Sequence, residues 1–285
     1  MQVLHGFSST SRNKLPEKGI TPPEVFSVYY HNIFEYPLTF SEVIKWQPKN
    51  PPKIRTSIQC KNGYYFVQGR EGLIYKREIK KRHSQKKIKI AGHAAKIMSI
   101  IPFIKMVGIS GSVAMNNAKK DSDIDLIIIT KKGRLWTSRI IVYLLLNFLR
   151  LPLRVPQSRE QRDRLCLNIW LDEDNLKWNP KQRNFYTAHE ILQVIPLVNK
   201  DRTYEKWLKE NRWVLNFWPN VVDVDSIKYD STEYTKPMNT NPIETLAYKI
   251  QVKYMKAKIS REVIKPGKAI FHPQNLSRTV VEKYT

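Results

Sequence analysis

The residues with the clearest chemical potential are three aspartates at alternate positions, Asp121, Asp123 and Asp125, which lead into the apolar run Leu126–Ile129. Alternate residues of a strand share one face, so the α-carbons of Asp123 and Asp125 are expected about 7 Å apart on one side. Two carboxylates at that spacing can converge on divalent metals, which lie about 4 Å apart in two-metal sites. The pattern therefore predicts a metal site at the start of a buried strand, and Asp121 is interpreted as a solvated turn residue.

A second feature lies upstream, where Ser110-Gly111-Ser112 follows a short apolar stretch. Glycine permits a tight turn and a close approach of the backbone to a ligand. The helical turn after it presents unpaired N–H groups to a phosphate, and a serine hydroxyl can add a donor. Magnesium is usually held by one or two carboxylates together with substrate phosphates. Ser110, Gly111 and Ser112 are therefore predicted to hold the phosphates of a nucleoside triphosphate (NTP) beside Mg²⁺.

Other motifs that could explain the aspartates do not fit. An EF-hand loop needs glycine where this chain has Leu126 and glutamate where it has Lys132. The Gly-Lys-Ser/Thr of a Walker A loop does not occur in the sequence. A second Asp-x-Asp, Asp223 and Asp225, has no glycine turn upstream and is interpreted as loop or strand-end residues.

The combination of Gly111-Ser112, a short helix and Ser122-Asp123-Ile124-Asp125-Leu126 resembles the signature of the DNA polymerase β-type nucleotidyltransferase superfamily. The superfamily includes CCA-adding enzymes, poly(A) polymerases, antibiotic nucleotidyltransferases and small antitoxin-type enzymes. The resemblance implies that Asp123 and Asp125 are catalytic and ligate the metals, while Gly111 and Ser112 hold the triphosphate. It also implies the reaction, in which an acceptor hydroxyl attacks the α-phosphate of an NTP and pyrophosphate leaves.

One departure from that family concerns its third carboxylate, which lies on a later strand. In the candidate strand, CLNIWLD, the central position is Asn168, which cannot carry a negative charge or act as a base. Asp172 has the same facing but lies about 13 Å further along a straight strand. Asn168 is interpreted as the topological equivalent and as a doubtful third metal position. A nucleic-acid-binding or regulatory protein with a degenerate, inactive domain is therefore the alternative function.

The surrounding elements predict an α+β fold with a small mixed-sheet nucleotidyltransferase domain. The N-terminal part has a helical pattern, then a capping-box spacing of Thr39 and Glu42, then Asn62-Gly63 as a hairpin signal. This order is typical of a winged-helix module, and a generic α+β extension stays open. After the third predicted strand the pattern indicates helices alone. The predicted divisions are a flexible N-terminus at 1–22, a winged-helix-like module at 23–80, the nucleotidyltransferase domain at 81–175 and a helical C-terminal domain at 176–285.

The charge balance indicates the partner. Lys and Arg number 49 against 25 Asp and Glu, for a net charge of +24. Such an excess favours a polyanion, with nucleic acid, and RNA in particular, ahead of an anionic membrane; a generally basic proteome is the alternative. The run Lys76–Lys89 is dense in cations and is interpreted either as a solvated helix face or as a phosphate-backbone contact.

The cysteines and the apolar segments indicate the compartment. Cys60 and Cys166 cannot build a disulfide framework, which favours a reducing cytoplasm. The N-terminus lacks the apolar core of a signal peptide. The longest apolar stretch, Ile140–Leu149, is about half the roughly 20 residues that span a bilayer, so a buried helix and no membrane partner are predicted.

Several further side chains could act at a site or serve only in packing. Arg134 and Arg139 could reach a substrate phosphate or pack on the surface, and the sequence leaves both open. The histidines and tryptophans interpreted as packed rather than catalytic or base-stacking are His189, His272, Trp207, Trp213 and Trp218.

Overall fold

The computed structural model of the chain describes residues 21–155, 160–223, 241–255, 262–271 and 276–283. The predicted flexible segment 1–22 lies almost entirely outside these ranges, as do Asp225 and His272. Within the described residues, no helix has both the length and the apolar character that crossing a bilayer requires.

The N-terminal part folds as a small helix-and-hairpin unit. Its elements, in chain order, are α1 (Pro22–Asn32), β1 (Leu38–Thr39), α2 (Phe40–Lys45), β2 (Ile58–Lys61) and β3 (Tyr64–Val67). Thr39 caps α2, and its backbone N–H donates to the Glu42 carboxylate at 2.8 Å, which confirms the capping box. Asn62 and Gly63 have φ of 53° and 77° and close the hairpin between β2 and β3. The order helix, helix, hairpin is confirmed, and the winged-helix assignment stays a prediction.

The basic run forms part of one long helix, α3 (Leu73–Met98), and only some of its cations face solvent. Arg77, Lys80 and Lys87 are on the buried face. The guanidinium of Arg77 donates two bonds of 2.8 Å to the carboxylate of Glu42. Arg77 holds the pKa of Glu42 below its ordinary value, although burial by itself would raise it. This buried ion pair fastens α3 to the N-terminal unit.

The rest of the chain builds a six-stranded mixed sheet with helices on both sides. Its elements are β4 (Ile104–Ile109), α4 (Gly111–Ala114), β5 (Ile124–Thr130), α5 (Leu135–Phe148), β6 (Leu165–Asp172), α6 (Phe185–Leu192), β7 (Ile195–Asn199), α7 (Thr203–Glu210), α8 (Pro242–Met255), β8 (Val263–Lys265), β9 (Lys268–Ile270) and α9 (Leu276–Val281). The strand order is β7-β4-β5-β6-β9-β8. The pair β5 and β6 is parallel and joined through α5, and the other neighbouring pairs are antiparallel. This mixed sheet confirms the predicted α+β class.

The prediction that residues 176–285 are purely helical is wrong, because β7, β8 and β9 lie in this range and join the sheet. β7 contains Pro196, and a proline within a segment argues against a strand there. However, β7 lies at the edge of the sheet, where proline is tolerated. β8 and β9 have three residues each, too few to show an alternating pattern. They become strands because β9 pairs with β6, a long-range contact that local sequence does not encode.

Two apolar layers cover the sheet. One packs α3, α5 and α8 against one face. The other combines Phe26 and Trp46 of the N-terminal unit with Trp207 and Trp218, so the predicted core role of the tryptophans is confirmed. The division into 23–80, 81–175 and 176–285 stays a prediction. The boundary between the first two ranges falls within α3. The second apolar layer contains residues from all three ranges.

A buried histidine pair joins α1 to α6 within the second layer. The Nε2 atoms of His31 and His189 lie 3.2 Å apart, and His31 Nδ1 lies 2.8 Å from the carbonyl oxygen of Ser27. A carbonyl can only accept, so His31 Nδ1–H donates to Ser27 and His31 Nε2 accepts from the N–H of His189. Burial lowers the pKa of His31 to about 4 and the pKa of His189 well below its ordinary value. His189 is therefore packed and hydrogen-bonded.

Acidification from about pH 7.5 to about pH 5 is expected to destabilise the protein through this pair. The unfolded histidines take up protons near pH 6.5, whereas the folded pKa of His31 is about 4, so the free energy of unfolding falls as the pH drops through that window. His31 by itself should contribute a loss on the order of 2 kcal/mol. Urea unfolding at both pH values measures the loss. A His31→Leu/His189→Leu chain should lose less, while His93→Gln, at an exposed position of α3, should behave as the parent; equal losses in all three would contradict the assignment.

Candidate active site

The predicted acidic residues lie at the start of β5, next to β6. In the parallel register Asp125 lies opposite Cys166. The register then shifts between Leu126 and Ile127, which leaves Asn168 as an additional residue in β6. Such a bulge re-aims the side chains around it. The strand pair therefore brings Asp125, Cys166 and Asn168 to one end of the sheet.

Asn168 contacts one of the two aspartates, Asp125. Its Nδ2 donates to Asp125 Oδ1 at 2.8 Å. The side chain is buried, and its Oδ1 has no hydrogen-bond partner within the part of the chain that the structure describes. Asn168 thus supplies a neutral hydrogen-bond donor to Asp125.

A cationic side chain, Arg154, lies within the same group. One of its guanidinium nitrogens is 3.2 Å from Asp123 Oδ2 and 3.2 Å from Cys166 Sγ. Burial by itself would lower the pKa of Arg154, but Cys166 and the two aspartates raise it above its ordinary value. Ligand atoms of Asp123, Asp125 and Cys166 all lie within 4.8 Å of one another, close enough to hold one metal ion.

The glycine turn packs directly against the acidic group. Ser110 donates its backbone N–H to the carbonyl of Asp125 at 3.0 Å. Gly111 has φ of 62°, and a Cβ atom there would lie 2.9 Å from Asp125 Oδ2. Ser112 follows on the exposed side of α4. The glycine turn therefore lies directly against the carboxylate of Asp125.

Comparison with known families identifies this region. Residues 88–214 match the family described as "Nucleotidyltransferase domain", less than half of the 285-residue chain. The chain carries a nucleotidyltransferase domain. The matched range contains both the glycine turn and the aspartates, in agreement with the polymerase β-type resemblance, and supports nucleotidyl transfer as the general activity. None of the curated proteins compared with the chain matches it.

Replacing Gly111 by alanine is expected to impair the nucleotidyltransferase domain. A side chain in the left-handed conformation is strained by about 1–2 kcal/mol, and the added Cβ would push against Asp125 Oδ2. A misplacement of about 1 Å at a reacting centre lowers turnover by about 100-fold. Steady-state kinetics and thermal unfolding measure both effects. Gly92→Ala is the matched control, since a Cβ there has nothing within 4 Å; equal activity of the two variants would contradict the role of the turn.

The loop that leads to Asp123 is held by a lysine that the sequence did not single out. Lys87 is buried on α3, and its ammonium donates to the carbonyl of Ser122 at 2.6 Å and to Asp163 at 2.7 Å. Lys86 binds the other oxygen of Asp163 at 2.8 Å. Burial would raise the pKa of Asp163, but the two lysines hold it below its ordinary value. The sequence signal was the basic run itself, which did not distinguish inward from outward cations.

Phe34 and Tyr186 form an aromatic pair. The rings of Phe34 and Tyr186 are 6.5 Å apart at an angle of 23°. Burial raises the pKa of Tyr186, and the negative charges of Glu190 and Asp125 raise it further. Tyr186 was not predicted, because its packing against the second apolar layer depends on how α6 is placed.

The remaining candidates lie elsewhere. Asp172 is buried at the opposite end of β6, where it accepts from Gly133 N–H and from the side chain of Asn175. Asp172 is thus excluded as a third metal ligand, since its carboxylate hydrogen-bonds to loop residues at the other end of the strand. Asp121 is exposed, as predicted for a turn residue. Arg139 donates to Gln251 at 2.6 Å, and Arg134 lies over the ring of Phe103, so both take part in packing contacts.

Proposed function

We propose that the protein is a Mg²⁺-dependent nucleotidyltransferase that transfers a nucleoside monophosphate from an NTP to an acceptor hydroxyl, with RNA as the acceptor. The observation that carries this proposal is the contact between the turn and the acidic group. A Cβ atom on Gly111 would lie 2.9 Å from Asp125 Oδ2. This closeness supports a site in which the turn binds the phosphates and the carboxylates bind the metal.

The residues of this pocket fit a divalent ion. Asp123 and Asp125 supply carboxylate oxygens, and the buried Oδ1 of Asn168 lacks a hydrogen-bond partner within the described residues. When bound, such ions stabilise the negative charge that develops on the attacking and leaving oxygens. In the proposed site the two aspartates would hold the ion, with the amide oxygen of Asn168 beside them.

The chain's own groups would orient the nucleotide. Backbone N–H groups of Gly111 and Ser112 are proposed to bind the triphosphate, and the ring pair of Phe34 and Tyr186 offers an aromatic surface for the base. Asn168 cannot accept the proton of the acceptor hydroxyl, because an amide is not a base. The aspartates are the carboxylates of the group that can take it.

The proposed acceptor follows from charge. Arg82, Lys86, Lys89 and Lys96 lie at helical spacing along α3 and are exposed. Lys86 also binds Asp163, the residue that helps hold the loop before Asp123, so this face adjoins the pocket. A row of cations beside a nucleotide site suits the phosphate backbone of an RNA strand.

Charge reversal on this face, Arg82→Glu/Lys89→Glu, is expected to weaken RNA binding. Each lost phosphate contact should reduce the slope of log affinity against log salt by about 1, so the double variant should lose about 2. Titrations of labelled RNA at several salt concentrations measure the slope. Lys249→Glu/Lys253→Glu on α8 is the matched control with the same change in charge. A parent affinity that does not respond to salt would contradict RNA as the partner.

The test of the activity is direct. The chain is incubated with Mg²⁺ and each labelled NTP, with and without bulk RNA, beside an Asp123→Asn/Asp125→Asn chain. Incorporation of at least one nucleotide by the parent, and none by the variant, supports the proposed reaction. Incorporation no higher than in the variant would favour the second candidate, a nucleic-acid-binding protein with an inactive domain. The specific observation in favour of that candidate is Asn168 in place of an acid.

The cytoplasm is the proposed compartment. Cys60 is exposed, Cys166 is buried and the two are not joined in a disulfide. Thiols of this kind persist in a reducing environment.

A further inference from the structure

We propose that the thiolate of Cys166 is a further metal ligand beside Asp123 and Asp125, and that it lets the site bind Zn²⁺ or Co²⁺ more tightly than the Mg²⁺ of the proposed reaction. This inference rests on the proposed function, because it concerns the ion that the same aspartates would hold. It names a ligand that the family signature does not contain and that the sequence pattern did not indicate.

The first support is the position of Cys166. It lies opposite Asp125 in the parallel register of β5 and β6, so both side chains project from the same sheet face. Its Sγ belongs to the group of three ligand atoms that all lie within 4.8 Å of one another. Only a small closure would bring these atoms to the roughly 2.0–2.3 Å at which Zn²⁺ binds oxygen and sulfur ligands.

The second support is the orientation of Asn168, the residue at the family's third position. Its amide nitrogen donates to Asp125, so Asn168 positions that carboxylate. Its Oδ1 is buried beside the group without a hydrogen-bond partner within the described residues. Buried polar atoms are almost always satisfied in proteins, so this oxygen is available to a ligand or a bound water at this place.

The third support is the contact made by Arg154. A single guanidinium nitrogen lies 3.2 Å from both Asp123 Oδ2 and Cys166 Sγ. The two atoms therefore already converge on one positive group. A metal ion bound there would displace the guanidinium, so Arg154 competes with the metal for the same ligands.

Ligand chemistry then sets the preference. Carboxylate oxygens suit Mg²⁺ and Mn²⁺, whereas a thiolate selects softer ions. A set of two carboxylates and one thiolate fits Zn²⁺ and Co²⁺, which accept mixed oxygen and sulfur ligands. Mg²⁺ would use the oxygens alone at this site and bind more weakly.

Cobalt is the probe for this proposal, because a thiolate bound to Co²⁺ gives a charge-transfer absorption band that oxygen ligands do not. Titration of the full chain with Co²⁺ is expected to produce this band. The band should persist in Cys60→Ser and disappear in Cys166→Ser, and Zn²⁺ affinity should fall in Cys166→Ser by at least about 10-fold. Arg154→Met should bind Co²⁺ more tightly than the parent, because the competing cation is gone.

A second measurement avoids any change at Cys166. The Cys60→Ser chain retains Cys166 as its single thiol, since the sequence has two cysteines. Zn²⁺ is expected to slow alkylation of that thiol, and Mg²⁺ at the same concentration is not.

The outcomes separate this inference from the proposed function. Co²⁺ binding that depends on Asp123 but shows no thiolate band would overturn the role of Cys166 and leave the metal site intact. Unchanged alkylation in the presence of Zn²⁺ would overturn it as well. If the parent binds neither Co²⁺ nor Mn²⁺, both this inference and the proposed metal-dependent reaction are overturned.

Discussion

Replacing Asp123 or Asp125 by asparagine is expected to abolish nucleotidyl transfer. Each substitution removes one negative charge from the group that would hold the metal, and the loss should be at least about 10³-fold in kcat, or about 4 kcal/mol of transition-state stabilisation. Both side chains are only partly exposed. Asparagine has nearly the same size as aspartate, so an asparagine at position 125 can still accept the 2.8 Å bond from Asn168. Release of pyrophosphate under saturating NTP measures the effect.

Asp121→Asn is the matched control for both variants. Asp121 precedes them by alternate positions, carries the same charge and is exposed. The change in net charge is therefore identical, whereas activity should stay close to that of the parent. A loss in Asp121→Asn equal to that in Asp123→Asn would contradict a specific role for the two residues of the group.

Replacing Lys87 by methionine is expected to be among the most destabilising single changes in the chain. The ammonium is buried and donates to Ser122 and Asp163, so its removal leaves acceptors unpaired. Breaking a buried ion pair costs about 3–5 kcal/mol. Since Asp163 retains Lys86, a loss of about 3 kcal/mol is expected. The free energy of unfolding in urea measures it, and activity should also fall because the loop before Asp123 loses its support.

Lys86→Met is the control at the neighbouring position. Lys86 binds the same carboxylate at 2.8 Å, but its side chain is 60% exposed. Exposed ion pairs contribute about 0–1 kcal/mol, so Lys86→Met should unfold at nearly the same urea concentration as the parent. Equal destabilisation by the two substitutions would show that burial of Lys87 does not decide the effect.

Local pattern was sufficient to predict the centre of the fold. β5 begins at Ile124, between the two aspartates. Its residues form a buried apolar run because β5 lies in the interior of the sheet, between β4 and β6. The turn at Gly111 was also predictable, since a glycine after an apolar strand indicates a special backbone conformation, and the observed φ is 62°. These features are encoded within a few residues of one another.

The third member of the group was not predictable in the same way. Cys166 and Asn168 both lie on β6, and the sequence pattern favours Asn168 because it occupies the central position of the strand. The register shift between Leu126 and Ile127 decides how each residue meets Asp125, and register depends on tertiary pairing. Arg154, a loop residue, forms an ion pair with Asp123, and this contact was not predictable because the two residues are distant in sequence.

The cations of α3 illustrate a related limit. Composition identified the run as basic, and helical periodicity was visible, but several of its cations face inward to acids far along the chain. Arg77 binds Glu42, and Lys87 binds Asp163. Because such partners are distant in sequence, charge density alone overestimates the surface that remains for nucleic acid.

The most direct test of the central claim is a crystal structure of the full chain with Mn²⁺ and a non-hydrolysable NTP analogue, with the metal located by its anomalous scattering. The proposed mechanism predicts a metal between Asp123 and Asp125, and phosphate oxygens on the backbone N–H groups of Gly111 and Ser112. A nucleotide bound away from this turn, or metal scattering at no point between the two carboxylates, would contradict it.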